Sequence, residues 1–156
     1  MERRDFLRYT SLALAATMVT RVDLRAEEDD EEAIEISFDE AYAEATQGAK
    51  KVVKNAKELK LTIPDAPENG LVVPVEVEVD YPMTKEKYIK QIVVMPTKNK
   101  VNLAITANYT PANGKAYLYV NVKLGGTQEV VVVARTNDDV VYEARKKVKV
   151  ALGGCG

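Results

Sequence analysis

The residue with the clearest chemical potential in this sequence is its only cysteine. Cys155 is the second-to-last of 156 residues, with Gly153 and Gly154 before it and Gly156 after it. A thiol between glycines near a free end is not expected in a core, and without a second cysteine it cannot form an intramolecular disulfide. We therefore expect Cys155 to face outward on a flexible arm formed by Gly153, Gly154 and Gly156, available to another molecule.

The surroundings of this thiol in the sequence predict that it reacts slowly by itself. A free cysteine has a pKa of about 8.5, so only a small fraction is thiolate at neutral pH. The terminal carboxylate of Gly156 is negative and close, and it should raise the pKa of Cys155 further. The nearest cations in the sequence, Lys146, Lys147 and Lys149, belong to a predicted strand. We therefore expect the thiol to become reactive only in a partner's site that supplies positive charge or a metal.

The composition excludes several kinds of function. The chain has no histidine, so the commonest metal ligand and the commonest general base are both missing. A Ser-His-Asp or Cys-His mechanism within this chain is therefore excluded, and a zinc or haem site is not expected. A formal net charge of -2 argues against nucleic-acid binding, which needs a basic face. We expect neither a metal nor a cofactor.

The first residues are typical of an export signal. Arg3 and Arg4, followed by a Phe-Leu pair and a further arginine, resemble the twin-arginine signal. The apolar run at 12–19 is shorter than the roughly 20 residues that span a bilayer, so we expect no stable membrane anchor. Residues 1–26 are predicted to be a twin-arginine signal peptide, which directs the protein to the periplasm. A general secretory signal or a fortuitous arginine pair are the alternatives.

The next segments are predicted to be a linker and a helix. Residues 27–36 begin with a run of like charge and are interpreted as an acidic, solvated linker. Ser37 and Glu40 have the spacing of a capping box and predict the start of a helix. Apolar residues, mostly alanine, then recur at helical spacing up to about Leu59: Ala41, Ala45, Ala49, Val52, Val53 and Ala56. Such a helix can lie close against another surface, either its own sheet or a partner.

The remainder of the chain predicts a β-sandwich. Seven apolar or alternating segments, separated by Gly, Pro, Asn and Asp, are found at 61–63, 71–79, 89–95, 101–109, 117–122, 129–134 and 140–150. This spacing favours a mainly β protein, an antiparallel immunoglobulin-like β-sandwich with an N-terminal helix over residues 37–152 and a flexible C-terminal arm over 153–156. A closed barrel is the alternative. Pro74 suggests an edge strand or a bulge.

Taken together, the arginine pair, the predicted sandwich and the terminal Gly-Gly-Cys-Gly resemble the SoxY family of sulfur-carrier subunits, which belong to the bacterial thiosulfate-oxidising (Sox) system. Interior segments are similar as well: Glu68-Asn69-Gly70 followed by Val72-Val73-Pro74-Val75, then Met95-Pro96, and Val148-Lys149-Val150. The family tail usually reads Gly-Gly-Cys-Gly-Gly. The missing last glycine shortens the reach by one residue and brings the carboxylate nearer the sulfur.

The resemblance implies that Cys155 is the substrate attachment site, a covalent sulfur carrier, and that the chain is not an enzyme. By that analogy a haem enzyme, SoxAX, joins thiosulfate to the thiol, a dimanganese hydrolase, SoxB, removes sulfate, and a sulfane dehydrogenase oxidises the remaining sulfur. The resemblance also implies a heterodimer with a SoxZ-like β-sandwich subunit. The valine-rich strands and the alanine face of the helix are both candidate partner surfaces.

Two other classes of function are open on the sequence. One is a periplasmic binding or interaction module whose terminal cysteine only cross-links two copies. The other is a thiol enzyme, which is disfavoured because the chain has neither a resolving cysteine nor a histidine base. Lipidation is disfavoured because Cys155 is not at the position that prenylation requires.

Overall fold

The computed structural model describes residues 35–103 and 105–150. No helix among these residues is long and apolar enough to span a bilayer. Outside the described residues lie the predicted signal peptide, most of the acidic linker and the predicted arm, and with them Arg3, Arg4, Gly153, Gly154, Cys155 and Gly156.

The described residues form one helix and eight strands, which confirms the mainly β, immunoglobulin-like sandwich. Helix α1 spans Phe38–Thr46. The strands are β1 Lys51–Lys54, β2 Leu59–Thr62, β3 Val73–Val79, β4 Ile89–Pro96, β5 Ile105–Asn108, β6 Ala116–Val122, β7 Gln128–Thr136 and β8 Val140–Val148. One sheet has the order β1-β8-β7-β4-β5 and the other the order β2-β3-β6. A short 3-10 turn at Pro111–Asn113 precedes β6.

Alternating side chains build the core between the two sheets. In β3 the four valines point inward and are buried, whereas Glu76 and Glu78 alternate with them on the outer face. The inward valines meet buried residues of the five-stranded sheet, such as Ile92 and Val132. Each fully buried side chain of this size contributes about 1.5–3 kcal/mol of transfer free energy. The period-two pattern predicted this arrangement correctly.

Helix α1 covers the outer face of the five-stranded sheet and adds a third layer. Ala41 and Ala45 are buried against Val93, Met95 and the valines of β7. Because both faces of β7 are covered, its valine run does not alternate with polar residues. The alanine face of the helix therefore packs on its own sheet.

The helix is much shorter than the apolar pattern predicted. The capping box is present, since the backbone N–H of Glu40 donates to Ser37 Oγ at 3.2 Å and the backbone N–H of Ser37 donates to Glu40 Oε2 at 3.0 Å. The helix nevertheless ends at Thr46, and Gly48 then adopts a left-handed conformation with φ of 68°, which turns the chain. The last turn of the helix has no basic residue.

The segment assigned to the second half of the helix is a strand. Val52 and Val53 of β1 contact opposite layers, the helix side and the sandwich core respectively, as strand alternation requires. β1 pairs in parallel with β8, with Lys51 opposite Val140. The described fold therefore has eight strands rather than seven, and one of its pairs is parallel.

Two further strand predictions need correction. β3 is the central strand of its sheet, so Pro74 does not lie on an edge strand. However, β2 pairs only with Glu76–Val79, so β3 has no β2 partner at Pro74 and the missing N–H is tolerated there. Among the described residues of the segment 101–109, only Ile105–Asn108 form a strand.

Candidate functional site

Although Cys155 lies outside the described residues, the structure shows the position of the residues that precede it in the sequence. The last described residue is Val150, five positions before the cysteine, and it is buried at 8% exposure. The predicted arm residues Gly153, Gly154 and Gly156 also follow Val150. The candidate site is therefore the end of the sandwich around this point, which we call the arm end.

Strand pairing brings the ends of five strands together at the arm end. Pro96 at the end of β4 is opposite Val130, and Gln128 at the start of β7 is opposite Val148 at the end of β8. In the other sheet, the start of β3 at Val73 is opposite the end of β6. The loops 64–72, 97–103 and 123–127 therefore surround residues 149 and 150.

Hydrogen bonds hold the base of the arm, Lys149 and Val150, on two sides. The backbone N–H of Val150 donates to Thr127 Oγ1 at 3.1 Å, and the same hydroxyl lies 3.3 Å from the Val150 carbonyl oxygen. On the other side the backbone N–H of Lys149 donates to the carbonyl of Asp65 at 2.8 Å. An ion pair of 3.0 Å between Lys146 and the Asp65 carboxylate adds to this contact. The arm base is thus fixed to the sandwich up to Val150.

A close approach of three backbone segments at the arm base requires Gly70. The backbone N–H of Leu124 donates to the carbonyl of Gly70 at 2.7 Å. A Cβ at Gly70 would lie 2.6 Å from the Leu124 carbonyl oxygen and 2.6 Å from Val150 Cγ1. Both distances are shorter than van der Waals contact, so only glycine fits between Leu124 and Val150 without displacing them.

Two apolar side chains are exposed next to this contact. Leu71 and Val72, directly after Gly70, are 61% and 56% exposed. A pair of exposed apolar residues is too small to identify a binding surface by itself. This pair lies beside the arm base.

A lysine-lined groove lies on the other side of the arm base. The lysine groove is formed by the loops after β4 and after β6, has a volume of about 490 Å³ and is lined by Lys98, Asn99, Lys100, Val101, Lys123 and Gly125. Neither loop contains an acidic residue between 97 and 103 or between 123 and 127. Within the described part of the chain, the three lysines form no ion pair with a carboxylate.

Side-chain amides fix the two walls of the lysine groove relative to each other. Asn99 donates through Nδ2 to the carbonyl of Lys123 at 2.6 Å. Asn99 Oδ1 accepts from the backbone N–H of Gly125 at 3.0 Å and from Gln128 Nε2 at 2.9 Å. Gln128, only 2% exposed, in turn accepts from the backbone N–H of Lys98 at 2.8 Å. The lysine groove is therefore a preformed structure.

The buried charge of the fold lies elsewhere, between helix and sheet. Glu143 is 1% exposed, accepts from Arg145 Nε at 2.6 Å and also accepts from the Tyr42 hydroxyl. Burial acts to raise the pKa of Glu143, but the hydrogen bonds from Arg145 and Tyr42 outweigh it and hold the pKa below its usual value. Arg145 also lies over the Phe38 and Tyr42 rings, at 6.0 and 5.7 Å from their centroids. These contacts fasten α1 to β8.

A second charged cluster is at the turn between β7 and β8, at the opposite end from the arm. Asp139 accepts from Lys90 Nζ at 2.7 Å and from two nitrogens of Arg135 at 3.0 and 2.8 Å. The hydrogen bonds from Lys90 and Arg135 lower the pKa of Asp139 from 3.8 to about 2. Within residues 35–103 and 105–150, no three His, Cys, Asp or Glu side chains are grouped to hold a metal ion. Both charged clusters have structural roles.

The structure adds residues that the sequence did not single out. The predicted site residues Cys155, Gly153, Gly154 and Gly156, and the signal residues Arg3 and Arg4, are outside the described part. The lysine groove was missed because its walls are separated in the sequence. A possible signal was the Lys-Asn-Lys triplet that follows β4, in a loop without acidic residues.

The fold and the sequence together define a class of protein: an immunoglobulin-like β-sandwich whose last strand is followed in the sequence by a single cysteine. A comparison with protein-family models narrows this class to one family. The model for sulfur oxidation protein SoxY matches residues 43–155, which includes most of the described fold and Cys155. The chain belongs to the SoxY family.

Solved structures show where else this fold occurs. The sulfur carrier protein SoxY from Chlorobium limicola f thiosulfatophilum matches with a TM-score of 0.61 and 22% identity, over 74% of this chain and 97% of that chain. A superoxide reductase (neelaredoxin) from Ignicoccus hospitalis matches with a TM-score of 0.57 and 16% identity, over 64% and 94%. A putative superoxide reductase from Thermotoga maritima matches with a TM-score of 0.54 and 15% identity, over 64% and 94%. At these levels of sequence identity, the structural similarity shows a shared fold. A comparison with curated proteins gave no match.

Proposed function

We propose that this protein is a sulfur carrier that covalently holds thiosulfate-derived sulfur on Cys155 and presents it to other enzymes. The observation that carries the proposal is membership of the SoxY family, over a matched range that extends to Cys155. The rigid arm base supports it, because a carrier needs a fixed body from which a short chain can reach out. Cys155 is five positions after Val150, and five residues reach at most about 17 Å when extended.

The loading step is an oxidation of two sulfur atoms. The Cys155 thiol loses its proton, and its sulfur forms a bond to the outer sulfur of thiosulfate. Two electrons leave to a haem enzyme of the SoxAX type, and the thiol proton goes to water. The product is a cysteine S-thiosulfonate, which carries one negative charge on a group with three oxygens.

The unloading steps require groups that this chain does not supply. Hydrolysis of the adduct breaks the bond between the outer two sulfurs, transfers the oxygen of water to the sulfonate to give sulfate, and leaves a persulfide on Cys155. We assign this step to a metal-dependent hydrolase of the SoxB type, and oxidation of the persulfide to a sulfane dehydrogenase. The chain has no histidine to act as a base, which supports the role of a carrier rather than an enzyme.

The proposal includes a location and a permanent partner. Arg3 and Arg4 support export to the periplasm by the twin-arginine pathway, with residues 1–26 as the signal peptide. Family membership supports a heterodimer with a SoxZ-like subunit. Since the alanine face of α1 and the valines of the sheets are buried within this chain, the partner is expected to bind another surface.

Intact-mass analysis of the protein from cells that grow on thiosulfate tests the proposal. We expect adducts of sulfur and thiosulfonate that a reducing thiol removes, and we expect Cys155→Ser to abolish both the adducts and thiosulfate oxidation. The variant should unfold at the same temperature as the unchanged protein, since the two described core clusters are complete without Cys155. A bare thiol, or only a disulfide-linked dimer, would favour the cross-linking module and contradict the carrier.

A further inference from the structure

We propose that the lysine groove binds the anionic thiosulfonate carried on Cys155 of the same chain. The loaded arm would then rest against the body of the protein until a partner enzyme withdraws it. This inference rests on the proposed function, since it concerns the adduct that the carrier bears. The ligand class is an oxoanion of sulfur attached to a tether.

The lysine groove is within reach of the arm. Gly125 lines the groove, and Thr127, two residues later, contacts Val150 at the arm base. Standard bond lengths therefore place Gly125 within about 15 Å of Val150. The five residues from Ala151 to Cys155 extend over about 17 Å, so the sulfur can arrive at the groove without any change in the sandwich.

The charge of the lysine groove fits the adduct. Lys98, Lys100 and Lys123 provide ammonium groups that can donate to the sulfonate oxygens. These three lysines lie together on a chain whose formal net charge is -2. The lysine groove is therefore positively charged, although the protein as a whole has a small negative charge. The unloaded thiol has no oxygens and is mostly neutral at neutral pH, so the groove should distinguish the loaded from the unloaded arm.

The lysine groove is also prepared for a ligand. Asn99 and the buried Gln128 connect its two loops through four hydrogen bonds of 2.6–3.0 Å. Because the two loops are already ordered before an anion binds, the entropic cost of binding is reduced. A tether of a few residues adds an effective concentration on the order of millimolar. A site that is weak for free thiosulfate can therefore be well occupied by the arm.

The test uses amide chemical shifts of the isotope-labelled full chain. Tetrathionate loads the thiol chemically: the Cys155 thiolate bonds to an inner sulfur of tetrathionate, the adjacent sulfur–sulfur bond breaks, and thiosulfate leaves with the electron pair. We expect the amide signals of Lys98, Asn99 and Gly125 to shift on loading and to return on reduction. A neutral methyl disulfide on Cys155, made with methyl methanethiosulfonate, should leave them unchanged.

Matched variants separate a local site from a general charge effect. The triple variant Lys98→Gln, Lys100→Gln, Lys123→Gln should lose the shift on loading. A control that removes three exposed lysines at the opposite end of the sandwich, Lys57→Gln, Lys85→Gln, Lys87→Gln, should keep it. High salt should weaken the shift, because the exposed lysines are screened.

The Cys155→Ser variant distinguishes the tethered adduct from a free anion. Free thiosulfate should shift the same signals in this variant only at concentrations of about millimolar or above. The proposal is wrong if the thiosulfonate and the neutral adduct give the same spectrum, if the shift survives in the groove variant, or if free thiosulfate saturates the groove well below millimolar. Chemical loading does not depend on cellular enzymes, so such a failure would leave the proposed function to be tested separately by intact mass.

Discussion

Replacement of Gly70 by alanine tests the close packing at the arm base. The added Cβ would lie 2.6 Å from the Leu124 carbonyl oxygen and 2.6 Å from Val150 Cγ1. The valine side chain can rotate, but the carbonyl belongs to a backbone whose N–H is bonded to Gly70 itself at 2.7 Å. The structure must therefore shift at Leu124, and overpacking of this kind costs about 1–3 kcal/mol.

The loss of unfolding free energy expected for Gly70→Ala is large enough to measure as a decrease in Tm. A loss of 1 kcal/mol lowers the Tm of a protein of about 150 residues by about 2–4 °C, so we expect Gly70→Ala to lower Tm by about 2–12 °C. Gly126→Ala is the matched control at the same end of the sandwich, because a Cβ there meets no atom within 4 Å. That control should be as stable as the unchanged protein or slightly more so.

A second substitution shows which contact causes the loss. Val150→Ala removes Cγ1 but leaves the Leu124 carbonyl in place, so the Gly70→Ala, Val150→Ala double variant should recover part of the Gly70→Ala effect when measured as a double-mutant cycle. If Gly70→Ala unfolds at the same temperature as Gly126→Ala, the close approach described here is incorrect. Complete recovery in the double variant would assign the whole effect to the valine and refute the contribution of the carbonyl.

Two further predictions concern the charged clusters. Tyr42→Phe removes a hydrogen bond to the buried Glu143 carboxylate and should destabilise the fold by about 1–3 kcal/mol in urea unfolding. The control Tyr119→Phe, at an exposed tyrosine, should leave the stability unchanged. If the two variants are equally stable, the contact between Tyr42 and Glu143 is contradicted. The folded pKa of Asp139 is about 2, below its ordinary value of 3.8, so its ion pairs stabilise the fold fully above about pH 4 and are lost as the pH falls towards 2. When the pH falls from about 4 to 2, the Tm of Asp139→Asn should therefore decrease less than that of the unchanged protein or of the control Asp80→Asn. If all three proteins show the same dependence of Tm on pH, the ion pairs of Asp139 contribute nothing to stability.

The sequence predicted the features that depend on neighbouring residues. The Ser37–Glu40 capping box and the inward valines of β3 follow from local spacing, and both were correct. The end of the helix was wrong, because Val52 and Val53 fit a helical period as well as a strand. Gly48 was the local signal for a break, but β1 becomes a strand only through β8, almost ninety positions later in the chain.

Contacts between residues that are far apart in the sequence could not be predicted from spacing. Tyr42 and Glu143, which join helix to sheet, are 101 residues apart. Lys100 and Lys123 line one groove only because β4 and β6 end on the same side of the sandwich. The role of Cys155 follows from its position in the sequence and from family membership, and it stays a prediction for the proposed mass analysis to test.

Under the proposed function, in which other enzymes act on Cys155, the position of β8 has a mechanical consequence. β8 lies between two strands, paired with β7 along Val141–Val148 and with β1 along Val140–Glu143. A partner that pulls on the residues after Val150 would pull along the axis of β8. The hydrogen bonds that pair β8 with β7 and β1 would then resist the force together. Among the described residues, Lys149 is held by one backbone hydrogen bond to Asp65 and Val150 by hydrogen bonds to the Thr127 side chain alone, so these contacts would break first. Their release would lengthen the arm by two residues, about 7 Å, while both sheets stay intact.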